Sequence, residues 1–259
     1  MNSTVYYHYT NLNACLGIVA SHRIWFTDYR FLNDKYELKQ GVDNFLLHIP
    51  EYQRSAFTSA FEWYNMSSHH CVLSLSRSPK ILSQWRAYGA DGTGVAIGFS
   101  EQFLKFSEIT LINCQYENHV SYAQALAQKY AQFIELVYQA QNTHVAGNDF
   151  MGWVEEQRNH FDSIVRDLIA LKNPAFAEEQ EVRAIRSLGH GMAKLRVSGN
   201  VMIPYTEVNF WDNNERQSSM AVVIPEIWLG PKCNELNRIA IYALDMGFCR
   251  VHRYDCGYV

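Results

Sequence analysis

The sequence lacks the long apolar runs of membrane and secreted proteins. No window approaches the roughly 18 consecutive apolar residues that a membrane-spanning helix requires. Residues 1–7 contain neither the basic nor the apolar segment of a secretory signal, and they enter an apparent strand directly. We therefore expect a cytoplasmic protein without a membrane partner.

Cysteine is present, but not in metal-binding pairs. The six cysteines are scattered and form no C-x-x-C pair, a spacing that disfavours a zinc site. His69, His70 and Cys71 are adjacent, but neighbouring side chains on a strand point to opposite faces. We expect reduced thiols and no metal ligands.

Several sequence motifs and a basic charge excess are also missing. There is no G-x-G-x-x-G opening a strand–helix unit, no Walker A loop and no G-x-S-x-G elbow, which argues against an α/β-hydrolase. The formal net charge is -4, so the chain as a whole has no electrostatic footprint for non-specific nucleic-acid binding. A nucleic-acid substrate held briefly at a local patch remains open.

No repeat, low-complexity tract or Pro/Gly-rich linker divides the 259 residues. The composition, 48% hydrophobic, 14% aromatic and 19% charged, is that of a folded globular protein. Strand-like alternation and helical stripes are interspersed along the chain. We predict one α+β domain over residues 1–259, with residues 116–175 as a helical insertion or lobe.

The pattern predicts the following elements. Strands are expected at residues 5–9, 24–27, 71–76, 95–99, 182–185, 201–204, 220–224 and 249–254. Helices are expected from residue 12, after residues 33–34, from 78 to 89, around 126–137 and 161–168, and from 236 to a stop at Gly247. Asp34 and Glu37 have capping-box spacing, and residues 142–149 are the expected central loop.

Two glutamates and an arginine mark the most informative stretch, residues 177–186. If residues 182–185 form a strand, Glu179, Glu181 and Arg183 share one face. Like charges on neighbouring same-face positions repel, so a segment that only had to fold would gain little from them. Such a face suits a site that binds charge. The alternative is an exposed edge strand, or a structural pair in which Arg183 neutralises Glu181.

Six short motifs occur in order at residues 6–10, 31–37, 72–76, 85–89, 94–99 and 179–183, reading YYHYT, FLNDKYE, VLSLS, WRAYG, GVAIGF and EQEVR. The set resembles the bacterial family catalogued as DUF2971, and the resemblance covers most of the chain, through residues 227–231. This resemblance supplies no activity by itself.

A second resemblance does imply an activity. The order of His-x-Thr on an early strand, Ser-x-Ser on a central strand and Glu-x-Glu on a later strand is similar to the motifs of ADP-ribosyltransferases. It implies an α+β fold with a split mixed or antiparallel sheet, flanking helices and the central helical insertion. It also implies NAD as co-substrate.

The same resemblance implies a role for each matching residue. Glu181 would be the catalytic carboxylate, and Glu179 would activate the acceptor. The residues implied to bind NAD are His8, Tyr9 and Thr10 at the ribose and Ser74 and Ser76 at the nicotinamide pocket. Because the middle motif varies between Ser and Tyr in that superfamily, Tyr88 is an alternative to the two serines.

Side-chain chemistry adds Trp85, Arg86 and Arg183 to the candidates for the NAD site and gives Tyr88 a second possible role. Trp85 or Tyr88 would stack on nicotinamide, and Arg86 or Arg183 would pair with the pyrophosphate.

Packing offers an alternative for most of these residues. His8 also fits a satisfied buried histidine, and Ser74 and Ser76 fit an ordinary half-buried strand. Trp85 and Tyr88 lie one helical turn apart with Leu82, as core residues do.

Two classes of function therefore remain. One is an enzyme that transfers ADP-ribose from NAD to a protein or nucleic acid, or that hydrolyses NAD, in a toxin or phage-defence role with a neutralising antitoxin protein. The other is a non-catalytic module that senses a nucleotide. A carboxylate-held metal hydrolase is disfavoured because Glu179 and Glu181 lack a convincing third ligand.

Overall fold

Ten strands form one mixed, open sheet in the computed structural model, which describes residues 4–32, 35–106, 109–143, 147–210, 220–244, 246 and 249–258. The strands are β1 (Val5–Thr10), β2 (Arg23–Asp28), β3 (His69–Ser76), β4 (Val95–Ser100), β5 (Thr110–Asn113), β6 (Glu181–Leu188), β7 (Lys194–Ser198), β8 (Val201–Asn209), β9 (Glu226–Leu229) and β10 (Arg250–Arg253).

Eleven α-helices of the same described residues flank this sheet. They are α1 (Leu12–Ser21), α2 (Lys35–Leu47), α3 (Glu51–Ser67), α4 (Leu82–Ala87), α5 (Glu101–Phe106), α6 (His119–Lys129), α7 (Ala131–Thr143), α8 (Gly147–Glu156), α9 (Arg158–Ile169), α10 (Met220–Val223) and α11 (Leu236–Tyr242). None of these helices has both the length and the apolar character needed to cross a membrane. The α+β class is confirmed.

The sheet forks at β3. β6 pairs antiparallel along the whole of β3, from His69 opposite Leu188 to Ser76 opposite Glu181. β1 and β2 therefore share the other edge of β3, where β1 meets Ser76 and β2 meets Cys71 and Val72. From this fork one arm runs β1-β4-β9-β10 and the other runs β2-β8-β7, while β5 pairs with β6. A gap consequently opens between β1 and β2, beside the middle of β3.

Each face of the sheet has its own apolar layer. On one face, α1, α5, α10 and α11 cover inward residues of β1, β3 and β4, such as Leu73 and Ile97. On the other face, α2, α3 and α6–α9 cover Val72 and Ile185 of β3 and β6. α4 covers the remaining part of that second face, where Trp85 packs on Tyr7 and Tyr9 of β1. The space between α4 and the large helical layer lies above Ser74 and Glu181.

The central helices differ from the expected ones. The stripe Leu126, Tyr130, Phe133, Val137 is buried as predicted, but it belongs to two helices, α6 and α7, that meet at Tyr130. The expected loop at 142–149 is wrong at both ends, because Thr143 still belongs to α7 and Gly147 already begins α8. Its middle, residues 144–146, lies outside the described residues.

Two further predictions are wrong at the level of elements. Residues 220–223 form α10 rather than a strand, since a run of four apolar residues has no period that separates the two. The helix expected from Ser78 begins only at Leu82, because the Ser78 and Pro79 carbonyls accept hydrogen bonds from Tyr9 Oη (2.8 Å) and Trp85 Nε1 (3.0 Å).

One helix, α3, was not predicted, although its buried residues Ala56, Phe57, Ala60, Phe61 and Tyr64 follow a helical period. Asn33, Asp34 and Gly247, expected at helix ends, lie outside the described residues.

Candidate functional site

A pocket of about 110 Å³ lies beside the gap in the sheet, between α4 and the turn that precedes β6. Residues that are distant in sequence line it, namely His8, Tyr9, Leu32, Ser74, Leu75, Gln84, Tyr88, Lys172, Glu179 and Glu181. Six of them, His8, Tyr9, Ser74, Tyr88, Glu179 and Glu181, belong to the set that the sequence singled out.

The pairing of β3 with β6 sets the floor of this pocket. Ser76 lies opposite Glu181, and Ser74 lies opposite Arg183. Paired residues on antiparallel strands share one face, so these four side chains project toward the pocket side of the sheet. Ser74 remains solvent-exposed within the pocket, and its hydroxyl hydrogen-bonds to the Glu181 carboxylate.

Glu181 is a buried carboxylate held by two cations. Lys172 Nζ donates to Glu181 Oε2 at 2.6 Å, and Arg183 Nε donates to Oε1 at 3.3 Å. The Glu181 backbone N–H donates to Tyr116 Oη at 2.7 Å, which fixes the start of β6. Burial alone would raise the pKa of Glu181, but Arg183, Lys172 and Ser74 outweigh it and lower the pKa to about 2. The carboxylate is therefore ionised at neutral pH.

Glu179 reaches the same cluster by a route that the sequence did not predict. It is not a strand residue on the face of Glu181, because it ends a 3-10 turn, Pro174–Glu179. Gln180 then adopts a left-handed conformation with φ 48°, which is uncommon for a residue other than glycine. The turn is anchored by Ser76, whose hydroxyl donates to the Glu179 carbonyl at 2.8 Å. Both carboxylates consequently contact the Lys172 ammonium group.

The cluster is buried rather than on an exposed edge of the sheet. The side chains of Lys172, Glu179, Glu181 and Arg183 are only 3 to 6% exposed, and β6 is paired on both sides by β3 and β5. The alternative of an exposed edge strand is therefore wrong. A left-handed residue between two buried carboxylates costs free energy of order 1–3 kcal/mol, and such strain is concentrated at functional sites.

His8 lies at the gap between β1 and β2. Its Nδ1 is 3.1 Å from the Ser74 carbonyl oxygen, and because a carbonyl only accepts, Nδ1 carries the proton. Burial lowers the pKa of His8, with the Ser74 carbonyl opposing that shift, so the ring is neutral and Nε2 is an acceptor. His8 also lines a second cavity of about 370 Å³ beside α1, on the other face of the sheet.

Two aromatic rings form the opposite wall of the pocket. Tyr88 directly follows α4 and is 41% exposed, so its ring is accessible to a ligand. Tyr9 is buried, and its ring packs edge-on against Trp85 with centroids 4.8 Å apart. Of the alternatives for the middle motif, Ser74 and Tyr88 both line the pocket, whereas Ser76 does not.

Trp85 belongs to the packing around the pocket rather than to its surface. It is fully buried between Tyr9 and Tyr254, so stacking of nicotinamide on Trp85 does not fit this position. Thr10 is buried at the end of β1, outside the residues that line the pocket.

The two arginines expected at the pyrophosphate both lie elsewhere. Arg183 does not fit that role, since its Nη1 donates to the Ile169 carbonyl at 2.6 Å and its other nitrogens contact Glu181. Arg183 is therefore the structural ion-pair partner of Glu181, which was the alternative interpretation of the sequence. Arg86 is exposed, with its guanidinium 5.9 Å from the Tyr258 ring centroid.

Lys172, Cys114 and Tyr116 are site residues that the sequence reasoning missed. Cys114 Sγ lies 3.6 Å from Glu181 Oε2, and burial raises the pKa of that thiol, so it stays protonated. Lys172 follows α9 by three residues and precedes Asn173-Pro174, and no periodicity marks it. Two buried carboxylates require a nearby cation to compensate their charge, and only that requirement would have indicated a lysine.

The arrangement is suited to charge rather than to metal chemistry. Within the described residues, no group of three His, Cys, Asp or Glu side chains is placed to hold a metal ion. The pocket instead presents an ionised carboxylate, a neutral imidazole with an acceptor nitrogen and an accessible aromatic ring. Such a set can bind a ribose and stabilise positive charge that develops beside it.

Comparison with known proteins finds a match to one family model, over part of the chain, and no activity. A family model described as "Protein of unknown function (DUF2971)" matches residues 84–184 and confirms the resemblance seen in the sequence. Three of the six motifs, at residues 85–89, 94–99 and 179–183, lie in the matched region. No curated protein and no solved structure matches the chain.

Proposed function

We propose that this chain, which matches the DUF2971 family over residues 84–184, is an NAD-dependent ADP-ribosyltransferase that transfers ADP-ribose to a macromolecular acceptor, protein or nucleic acid. One observation carries the proposal: His8, Ser74 and Glu181, from three motifs far apart in sequence, line one pocket. The fork between β1 and β2 supports it, because the resemblance to ADP-ribosyltransferases implies a split sheet.

The chemistry requires the charge that Glu181 provides. Cleavage of the bond between nicotinamide and ribose develops an oxocarbenium cation on the sugar, as glycosidic cleavage does. A fixed carboxylate beside that carbon stabilises the transition state, and one well-placed group contributes about 3–4 kcal/mol. With its pKa lowered to about 2, Glu181 is ionised without any proton transfer.

The pocket volume indicates how much of NAD it takes. Complete small-molecule sites occupy roughly 300–1,000 Å³, whereas this pocket has about 110 Å³. We infer that it holds the nicotinamide-ribose end, with the Tyr88 ring against nicotinamide. His8 Nε2 would accept a hydrogen bond from a ribose hydroxyl, and the remainder of NAD would extend outward.

Glu179 is the proposed general base for the acceptor. Its carboxylate lines the pocket and contacts the same ammonium group as Glu181. An acceptor nucleophile beside Glu179 would therefore lose its proton close to the reacting carbon, which is the geometry that general-base catalysis requires.

Nicotinamide release from NAD by the purified protein tests the reaction. We expect Glu181→Gln to reduce the rate about 100-fold or more, the loss seen when one transition-state partner is removed. Glu178→Gln is the matched control, because Glu178 is an exposed neighbour in the same turn. Thermal unfolding of each variant shows whether it is folded. Ser74→Ala, which removes only the hydroxyl bonded to Glu181, is a milder second variant that should also slow release.

A binding module that senses a nucleotide is the second candidate, and one observation favours it. Both carboxylates already contact Lys172, and Glu181 also contacts Arg183, so the cluster is stable without a substrate. This candidate predicts saturable NAD binding without nicotinamide release, and the same affinity in Glu181→Gln. Release that collapses in that variant would exclude it.

We also propose a toxin or phage-defence role restrained by a neutralising protein, because uncontrolled consumption of NAD harms a cell. Induction of the wild-type protein alone should arrest growth, whereas Glu181→Gln should not. High-level expression of the active wild type with normal growth would contradict this role.

A further inference from the structure

A second open pocket, of about 450 Å³, lies at the β10 edge of the sheet, on the same face as the nicotinamide pocket. Its lining includes Lys80, Trp228, Arg238, His252, Arg253 and Tyr254. They come from the segment before α4, from β9, β10 and α11, and from the residue that follows β10. Three cations and two aromatic rings therefore converge from separate parts of the chain, although the chain as a whole carries a net charge of -4.

The aromatic rings are interleaved with the positive charges. The Lys80 ammonium group lies 5.1 Å from the Trp228 ring centroid, and the His252 ring stacks on the same indole at 4.7 Å. Tyr254 follows β10 and is partly exposed. Farther along the C-terminal segment, the Tyr258 ring has Lys232 at 3.9 Å and Arg86 at 5.9 Å. The alternation of cation and ring continues beyond the pocket itself.

Six cations line this pocket or lie beside it and the C-terminal segment. We name this surface the basic edge, and its cations are Lys80, Arg86, Lys232, Arg238, Arg250 and Arg253. Four carboxylates lie among these cations. Asp91 pairs with Lys232 and Glu235 with Arg238 and Arg253, while the buried Glu226 pairs with Arg250 and His252, and Asp255 lines the pocket. Lys80 faces an aromatic ring instead. Among the described residues, Arg238 Nε is a buried nitrogen without a hydrogen-bond partner.

Sheet register connects the basic edge to the nicotinamide pocket. Tyr9 lies opposite Ala96, Ala96 opposite Trp228, and Trp228 opposite His252. Neighbouring strands are about 4.8 Å apart, so Trp228 lies roughly 10 Å from Tyr9 along one row of the sheet. A ligand bound at Trp228 therefore lies two strands away from Tyr9, which lines the nicotinamide pocket.

We propose that the basic edge binds the phosphate backbone of a single-stranded nucleic acid. Arginine and lysine pair with consecutive phosphates, and aromatic rings stack on unpaired bases, which is how single strands are held without sequence preference. Duplexes keep their bases stacked internally and would leave Trp228, Tyr254 and Tyr258 unused. That this strand is also the ADP-ribose acceptor rests on the proposed function.

Fluorescence anisotropy of short labelled single-stranded DNA and RNA tests the site, without NAD, at about 50 mM and about 200 mM salt. We expect saturable binding that Lys80→Met/Arg253→Gln weakens tenfold or more. The salt slope should fall by about 0.7 for each phosphate that the variant no longer neutralises. Lys105→Met/Lys129→Met is the matched control, since it removes two exposed, ion-paired lysines on α5 and α6. It should bind like the wild type.

Four results would overturn the site. They are no saturable binding, equal weakening by the control, polyglutamate competing as well as the oligonucleotide, and NAD displacing the strand from the basic edge. The two proposals fail separately. If the wild-type protein releases nicotinamide but binds no oligonucleotide, only the basic edge is contradicted. If it binds the oligonucleotide through Lys80 and Arg253 but releases no nicotinamide, only the NAD reaction is contradicted.

Discussion

At the scale of single residues, Lys172 decides the charge state of the pocket that Glu179 and Glu181 line. Its ammonium group contacts Glu179 and Glu181, and all three side chains are at most 6% exposed. Two buried carboxylates so close together would repel strongly without a cation between them. Arg183 faces Glu181 from the other side. The charge of the cluster is therefore balanced by Lys172, a residue that no sequence pattern marks.

Lys172→Met should destabilise the protein by about 3–5 kcal/mol at neutral pH, because it leaves buried charge uncompensated. In the wild type, the lowered pKa of Glu181, about 2, contributes stability that is complete above the ordinary value of 4.5 and lost as pH falls toward 2. In the variant the pKa of Glu181 rises, so the free energy of unfolding should decrease less as the pH is lowered. Urea unfolding at neutral pH and near pH 4 measures both effects. A wild-type acid dependence in the variant would contradict this account of the cluster.

Sequence reasoning found most of the pocket at this scale. His8, Ser74, Tyr88, Glu179 and Glu181 could be singled out because each is a polar or aromatic residue in a short motif on a predicted element. Trp85 could not be separated from them, since burial depends on which helices cover it. The role of Arg183 was undecided for the same reason: its partners, Glu181 and the Ile169 carbonyl, lie on different elements.

At the scale of elements, a buried polar network ties α3, β3 and α9 together. Tyr64 Oη donates to the Asp162 carboxylate, and it lies 2.6 Å from His70 Nε2. The other ring nitrogen, His70 Nδ1, is 3.0 Å from Ser187 Oγ of β6. Burial lowers the pKa of His70 to about 3, so the ring is neutral in the folded protein.

This network predicts a pH dependence of stability. The folded pKa of His70 lies below its ordinary value of 6.5, so the unfolded chain binds more protons between about 6.5 and 3. Wild-type stability should fall as pH decreases through that window, and His70→Gln should show a shallower fall. Urea unfolding across a pH series measures the slopes, with exposed His190→Gln as the control. Parallel slopes for wild type and His70→Gln would exclude this contribution.

Elements with a clear hydrophobic period, or with turn residues at their ends, could be predicted from the sequence, and the others could not. β1, β3 and β4 lie where strands were expected, and the glycines at 92 and 94 lie at the turn into β4. A Cβ at Gly94 would lie 2.2 Å from the Thr10 carbonyl oxygen, so glycine lets β4 start beside the end of β1. In contrast, β5 and β7 were not predicted. The residues of β5, TLIN, show no alternation, and in β7, KLRVS, the alternating apolar side chains Leu195 and Val197 are exposed rather than buried.

At the scale of the whole molecule, the helices between residues 119 and 169 share a core with the rest of the chain. Phe161 of α9 is fully buried and packs against Phe57 and Tyr64 of α3 and Phe133 of α7. The same cluster includes Val72 of β3 and Ile185 of β6. We therefore expect the predicted single domain to unfold as one unit, with no separate transition for residues 116–175.

Phe161→Ala should lower the free energy of unfolding of the entire chain by about 3–5 kcal/mol, because it leaves a cavity where three helices meet. Far-ultraviolet circular dichroism and tryptophan fluorescence should report one coincident transition in both proteins. Leu136→Ala, at a half-exposed position on α7, is the control with a small expected effect. A variant that loses helicity in a separate first step would show instead that the helical region is an independent lobe.

The convergence of His8, Ser74, Lys172 and Glu181 exists only in the whole molecule. It depends on the fork at β3 and on the turn at Gln180, and both arise from pairings between residues 43 to 119 positions apart. Sequence patterns report local periods, so they identified candidates but not their common pocket. The left-handed Gln180 conformation carries no mark in the sequence at all.

Transfer from adenine-labelled NAD in a cell lysate tests the central claim most directly. Wild-type protein should release nicotinamide and leave the label covalently on a macromolecule, and Glu181→Gln should do neither while remaining folded. Nuclease and protease digestion of the product identifies the acceptor class, and nuclease-sensitive label is the result that the basic edge predicts. A folded wild-type protein, free of any bound inhibitor, that releases no nicotinamide would contradict the account and leave a nucleotide-binding module in its place.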